Sequence, residues 1–203
     1  EIRMVTGVQT CALPILGEPL STIVVSRLGL NFWSLLDQLG IYIIPGIIIL
    51  GIMGAGYGSK EKGKLDNNEE IVIGETNKLI IIRAIKIFLF IIALELLGEG
   101  FKPIIEAYIL PLDTRYLYWV NMSSAVLDNA TLAAAEISVK MSPEQIKAVL
   151  IGLLVSGGIM IPGNIPNIIS AGKLKITSKE WIKVGAPIGI TIMLIYYIVL
   201  FVF

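Results

Sequence analysis

Residues 143–167 read PEQIKAVLIGLLVSGGIMIPGNIPN, and this stretch decides the fold. Its start is that of a helix. Ser142 is placed as the cap, Pro143 takes the first helical position, and Gln145 completes a capping box. The apolar run continues to Ile161 and then meets Pro162-Gly163-Asn164-Ile165-Pro166-Asn167. Proline lacks the N–H and clashes with the turn before it, so two prolines and a glycine must open the helix there. Opened backbone inside apolar sequence needs partners for its amides and carbonyls. In lipid it survives only against protein or a water-filled cavity. The expectation is an all-α, polytopic membrane protein with a broken helix.

Composition agrees. The chain has 203 residues, 55% of them hydrophobic and 16% charged, with a mean hydropathy of +0.82. Soluble domains carry about 25% charged residues, so there is too little charge here to coat a soluble globule. The formal net charge is zero and histidine is absent. No basic excess serves a nucleic-acid surface. Histidine-ligated zinc, haem on an axial histidine and histidine triads are excluded. The single cysteine, Cys11, excludes an intrachain disulfide and a multi-cysteine metal site.

A spanning helix needs about 20 mostly apolar residues. Leu35–Ala55 qualifies, with Pro45 and Gly46 inside it, and Leu79–Leu97 is a second candidate, carrying Arg83, Lys86 and Glu95. Between them Tyr57–Asn77 is a charged, solvated linker. Phe101–Leu110 is too short to span; it reads as an interfacial piece or a bent extension. Tyr116–Ile137 is semi-polar, with Asn121, Ser123, Ser124, Asp128, Asn129 and Thr131 among Val, Leu and Ala. A last helix, capped by Thr177 or Ser178, runs to Phe203 with Pro187 and Gly189 inside. Its Tyr196-Tyr197 pair reads as an interfacial aromatic belt or as packing against a neighbour.

Residues 5–15, VTGVQTCALPI, match one reading frame of a common sequencing adapter. On that expectation residues 1–15 are an artefactual leader, Cys11 carries no functional information, and the natural protein starts upstream. Residues 16–55 are then the end of a first repeat or a linker, 56–78 a charged cytoplasmic loop, and 79–203 a second repeat.

The repeat rests on two interruptions, Gly17-Glu18-Pro19-Leu20-Ser21-Thr22 and Gly163-Asn164-Ile165-Pro166-Asn167. Each is followed by small and apolar residues, a basic-Leu or Lys-Leu step, a tryptophan, a glycine and a proline. The two stretches lie about 145 residues apart, and such pairs point to a secondary transporter with a midplane site. The positive-inside rule orients the chain independently. Lys60, Lys62 and Lys64, and Lys173, Lys175, Lys179 and Lys183, belong on the cytoplasmic side. Helix 35–55 then runs inward and helix 178–203 outward, as an inverted pair requires. Lys140 falls outside.

Three constellations carry the chemistry. Asp128, Asn129 and Thr131 offer carboxylate, amide and hydroxyl oxygens at the natural tip of a re-entrant hairpin, with Ser124 just before it; such oxygens suit a small hard cation, and an aqueous loop is the alternative. Gly163, Asn164 and Asn167 sit at the helix break, where freed backbone and two amides can meet an ion; the alternative is a loop end with a short interfacial helix. Glu18, Ser21 and Thr22 are the repeat mate, or else simply part of a terminal loop. A sodium site at Asp128, Asn129 and Asn164 follows from the first two. Arg83 and Lys86 read as topology signals and Glu95 as interfacial.

Ser124-Ala125-Val126-Leu127-Asp128-Asn129, followed by Gly163-Asn164-Ile165-Pro166-Asn167, resembles the ion-transporter superfamily of arsenite permeases, sodium/proton antiporters and citrate and dicarboxylate carriers. The chain is most similar to a prokaryotic group of cation transporters, over about residues 16–203. The resemblance implies inverted repeats, each with a re-entrant hairpin and a broken helix meeting at the substrate. Asp128, Asn129 and Thr131 would then be the hairpin tip of the second repeat, Gly163, Asn164, Pro166 and Asn167 its broken helix, and Gly17, Glu18, Ser21 and Thr22 that of the first. Asp-Asn-Ala-Thr stands where the carriers have Ser-Asn-Thr, which favours a cation over a dicarboxylate.

The reading is the C-terminal part of a multi-pass secondary transporter of a prokaryotic cell membrane, working as a sodium- or proton-coupled antiporter or symporter. It is not expected to be an enzyme or to need a cofactor beyond a bound sodium ion. Expected partners are the lipid bilayer, a small ion, the N-terminal half of the same protein and a second copy as a homodimer, with no nucleic acid. The rival is a membrane structural or assembly protein without a transport site.

Overall fold

A computed structural model of the chain describes residues 19–31, 33–58 and 77–202. The adapter-like leader, Gly17, Glu18 and most of the charged linker lie outside them. Every regular element among the described residues is helical. Helix α1 spans Pro19–Leu28 and α2 Ser34–Gly58. Helix α3 spans Asn77–Ile104 and passes into a π-helical turn at Ile105–Ile109. Helix α4 covers Thr114–Val120 and runs into a 3-10 turn at Asn121–Ala125. Helix α5 is Asn129–Glu136, α6 Pro143–Ser156, α7 Ile165–Leu174 and α8 Ser178–Phe201.

Local chemistry sets these boundaries. Ser142 Oγ accepts from the Gln145 amide at 3.2 Å and Gln145 Oε1 accepts from the Ser142 amide at 3.0 Å, so the capping box before α6 forms as expected. The cap of α8 is Thr177, paired reciprocally with Glu180. Residues 101–110 continue α3 rather than lying apart from it. Pro103 removes one N–H from the ladder, and the chain widens so that Leu110 N donates to Ile105 O at 2.9 Å.

Helix α6 ends at Ser156, five residues before the expected Ile161. Gly157-Gly158 favour leaving the helix, since glycine carries the largest backbone entropy cost. The chain then passes through turns and a short 3-10 piece at Ile161–Gly163 before α7 restarts at Ile165. The break is therefore longer than the prolines alone predict.

Helix α6 is the core. Residues 148–154 are all buried, as befits a helix apolar on every side. Helices α4 and α8 cover it, and Tyr118 Oη donates to Met193 O at 2.7 Å. At the end of α6, Gly158 O accepts from Trp181 Nε1 near the start of α8. Near the start of α6, Lys147 Nζ lies 5.3 Å from the Tyr42 ring, and Tyr42 O accepts from Tyr196 Oη at 2.6 Å near the end of α8. Helices α6 and α8 thus run antiparallel, and the beginning of α2 meets the end of α8. Tyr196 and Tyr197 pack against neighbours: the Tyr197 ring centre lies 5.0 Å from that of Phe201 and 5.5 Å from that of Trp119, both rings tilted to it. A hydrophobic groove of about 600 Å3 separates α2 from α6 and α8, lined by Tyr42, Pro45, Gly46, Leu154, Gly158 and Gly189 among others.

Two of the described helices are long and apolar enough to cross a membrane, Ser34–Ile52 within α2 and Ser178–Phe201. Helix α3, expected as a span, is a continuous helix but carries Arg83, Lys86 and Glu95. Around its C-terminal end, charges gather in one cleft. Arg27 pairs with Glu99 at 3.5 Å and Lys140 with Glu106 at 2.8 Å. The Lys140 ammonium holds the Glu106 carboxyl below the usual carboxylate range.

Candidate functional site

Two breaks in the helical backbone form the site. The first follows the 3-10 turn at Asn121–Ala125. Asp128 leaves helical geometry, at φ −53° and ψ 131°, and caps α5, its Oδ2 accepting from Thr131 N at 3.1 Å and Thr131 Oγ1 at 3.2 Å. The polar residues 128–131 thus restart a helix. Helix α5 packs back on the 3-10 turn, with Asn121 beside the Glu136 carboxyl at its far end. The second break is residues 157–164.

The two meet backbone to backbone. A Cβ on Gly163 would stand 2.5 Å from Ser124 O and 2.6 Å from Gly157 O; one on Gly157 would stand 3.1 Å from Gly163 O and 3.3 Å from Asn129 Nδ2. Hydroxyl groups tie the joint. Ser124 Oγ lies 2.9 Å from Ser156 Oγ and 3.1 Å from Leu153 O, and Ser156 Oγ lies 2.7 Å from Asn121 O. Helix α8 closes in behind, where a Cβ on Gly185 would stand 2.7 Å from Ile159 O.

Around this crossing several buried polar atoms have no hydrogen-bond partner: Asn129 Nδ2, Asn164 Nδ2, Asp128 Oδ1, Asn121 Oδ1 and Glu136 Oε2. Asn129 is 1% exposed and Asn164 2%. A buried polar group without a partner costs about 1–3 kcal/mol. The crossing is therefore chemically incomplete, with unpartnered donors on Asn129 and Asn164 and an unpartnered acceptor on Asp128. As they stand, both asparagines present N–H; either offers an oxygen to a cation after a half-turn of its terminal amide. Among the described residues no three His, Cys, Asp or Glu side chains gather to hold a metal, so a sodium ion here would rest on Asp128 and neutral oxygens.

Of the expected residues, Ser124, Asn129, Gly163 and Asn164 lie at the crossing, and Asp128 with Thr131 caps the helix that leaves it. Asn167 is differently employed. Its Nδ2 donates to Gly157 O at 2.8 Å and Met160 O at 3.1 Å, so it holds the break in shape. Helix α1 packs on α5 with Ser21 buried and Thr22 exposed. Glu18 lies outside the described residues. Sequence reasoning missed Glu136, Ser156 and the role of Asn121. The signal for Glu136 was available: Asn129, Ala133 and Glu136 follow i, i+4, i+7 spacing on the buried face of α5.

A family model described as "Protein of unknown function (DUF1646)" matches residues 4–203, and the chain belongs to that family. No curated protein and no solved structure matches it.

Proposed function

We propose that this DUF1646 protein is a secondary active transporter that carries a small ion, coupled to sodium or protons, through the crossing of its two helix breaks. The observation that carries this reading is the set of unpartnered buried groups at Asp128, Asn129 and Asn164. A protein that only scaffolded a membrane would gain by replacing them with apolar residues.

Membrane residence is supported by exposure. Only 28% of the α2 window and 17% of the α8 window is buried, whereas the core helix of a soluble protein is mostly buried. Ile41, Ile48, Ile52, Leu194, Ile195 and Ile198 all face outward, an apolar surface that suits lipid.

An inverted pair of repeats draws support from the matching of α1–α2 with α7–α8. Each short helix has ten residues, and each ends on a left-handed residue, Gly29 at φ 62° and Lys175 at φ 52°. Each is followed by a long apolar helix with a proline inside, Pro45 or Pro187. In this reading the 3-10 turn and α5 are the arms of a re-entrant hairpin, and the resemblance to the ion-transporter superfamily gives the mechanism: access alternates as one bundle rocks on the other.

The test is ion flux in vesicles reconstituted with the whole protein, normalised to inserted protein. Asp128→Asn keeps an excellent helix cap and removes the charge. Flux should fall at least tenfold with thermal stability unchanged. Unaltered rate and ion dependence would remove Asp128 from the site, and an absence of flux in the unmodified protein for every ion tried would end the transporter reading.

A further inference from the structure

Glu136 is 5% exposed and Asn121 is fully buried. Their side chains are neighbours, and Glu136 Oε2 and Asn121 Oδ1 are both left without a partner. Both orphan atoms are acceptors. The Asn121 amide already donates to Leu117 O at 2.8 Å. The pair is one donor short.

No described cation supplies it. Helix α5 packs against α1, α3 and its π-turn, α6 and the 3-10 turn. On α1, Arg27 pairs with Glu99. On α3, Lys86 is exposed and Lys102 pairs with Glu99, while the Arg83 and Glu95 side chains lie outside the described residues. Glu106 of the π-turn pairs with Lys140. On α6, Glu144 is exposed and Lys147 sits over Tyr42. The 3-10 turn carries no charge, and Asp128 on α5 itself is engaged with Thr131. Asn121 itself is held tightly against α6, where a Cβ on Gly152 would stand 3.0 Å from Asn121 Cβ.

We infer that Glu136 and Asn121 form a proton-binding site that latches the end of α5 to the 3-10 turn. The Glu136 carboxylate takes a proton from water, and the new O–H donates to Asn121 Oδ1. Acid and amide then each give and accept one hydrogen bond. When the two arms part, the O–H bond breaks and the proton returns to water. This deepens the transport reading, on which its role in coupling rests, by naming the coupling ion. The proton site itself stands on the two orphan acceptors.

Infrared difference spectroscopy of the whole protein in vesicles, titrated with pH in sodium-free buffer, tests it directly. A protonated carboxylic acid gives its own carbonyl band, and carbon-13 labelling of the glutamate carboxyl should shift that band at neutral pH. Glu136→Gln should abolish it; Glu136→Asp should keep a band at an altered position and serves if the glutamine variant does not fold. A glutamate band that survives in Glu136→Gln, no protonated glutamate at neutral pH, or loss of the band on adding sodium at constant pH would each overturn the proposal. Flux separates the two readings. Glu136→Gln should carry ions with no response to a proton gradient that drives the unmodified protein. If the unmodified protein carries no ion, the transport reading fails while the infrared result still decides the proton site.

Discussion

Gly163→Ala probes the crossing most directly. The new Cβ would stand 2.5 Å from Ser124 O and 2.6 Å from Gly157 O. Carbon–oxygen contacts ordinarily lie at about 3.3–3.6 Å, so the Ser124 carbonyl would have to draw back by about 0.8 Å or more. Both obstacles are backbone, and no rotamer can relieve them. Overpacking a close-packed interior costs about 1–3 kcal/mol, and a clash with two carbonyls falls at about 3 kcal/mol. For a chain of this size that corresponds to a drop in melting temperature of roughly 6–12 °C. Gly172→Ala is the control. It lies in α7 with nothing within 4 Å of its new methyl, and the helix gains up to about 1 kcal/mol from alanine. Both variants would be melted in the same detergent and followed by tryptophan fluorescence. If Gly163→Ala melts with the unmodified protein, the breaks do not touch through their backbones and the proposed site loses its frame.

Other consequences are as direct. Trp181→Phe removes the donor to Gly158 O and leaves a buried carbonyl unpaired, which should cost about 1–3 kcal/mol in the same melt. Cysteines placed at Lys140 and Lys175, both exposed, should react with an impermeant reagent from opposite sides of the membrane, Lys140→Cys from outside; reaction from one side would end the proposed topology. Lys140→Met removes the partner of Glu106. Because the partner lowers the Glu106 pKa, its stabilisation exists above the ordinary carboxylate range and is lost as pH falls through the lowered value. Variant and unmodified protein should therefore converge in melting temperature on acidification.

The features that were legible in the sequence are those set by neighbours in the chain. Ser142-Pro143-Glu144-Gln145 and Thr177-Ser178-Lys179-Glu180 specify their caps within one turn, and Pro162 and Pro166 enforce a break wherever the chain goes. The early end of α6 was not legible, because Gly157-Gly158 leave the helix only where Asn167 and Trp181 donate hydrogen bonds to the freed carbonyls. Both partners are distant in sequence. The same holds for the candidate site. Asp128 and Asn129 announce themselves as polar residues in an apolar run, but the pairing of Glu136 with Asn121 exists only because α5 returns along the turn that precedes it. Asn167 shows the converse: its residue type suggested a ligand, and its neighbours made it a brace.

A joint assembled from glycines and carbonyls has no play. Where side chains interlock, a rotamer change can absorb a small displacement; at Gly157, Gly163, Gly185 and Ser124 O there is no side chain between the surfaces to change. The 3-10 turn at Asn121–Ala125, the α6–α7 break and the first half of α8 must then travel as a single stiff block. Compliance has to lie where the surfaces are apolar, unspecific and separated by space, along the groove between α2 and that block. There Tyr196 Oη donates to Tyr42 O and ties the end of α8 to α2, while farther along the two helices face each other across apolar space.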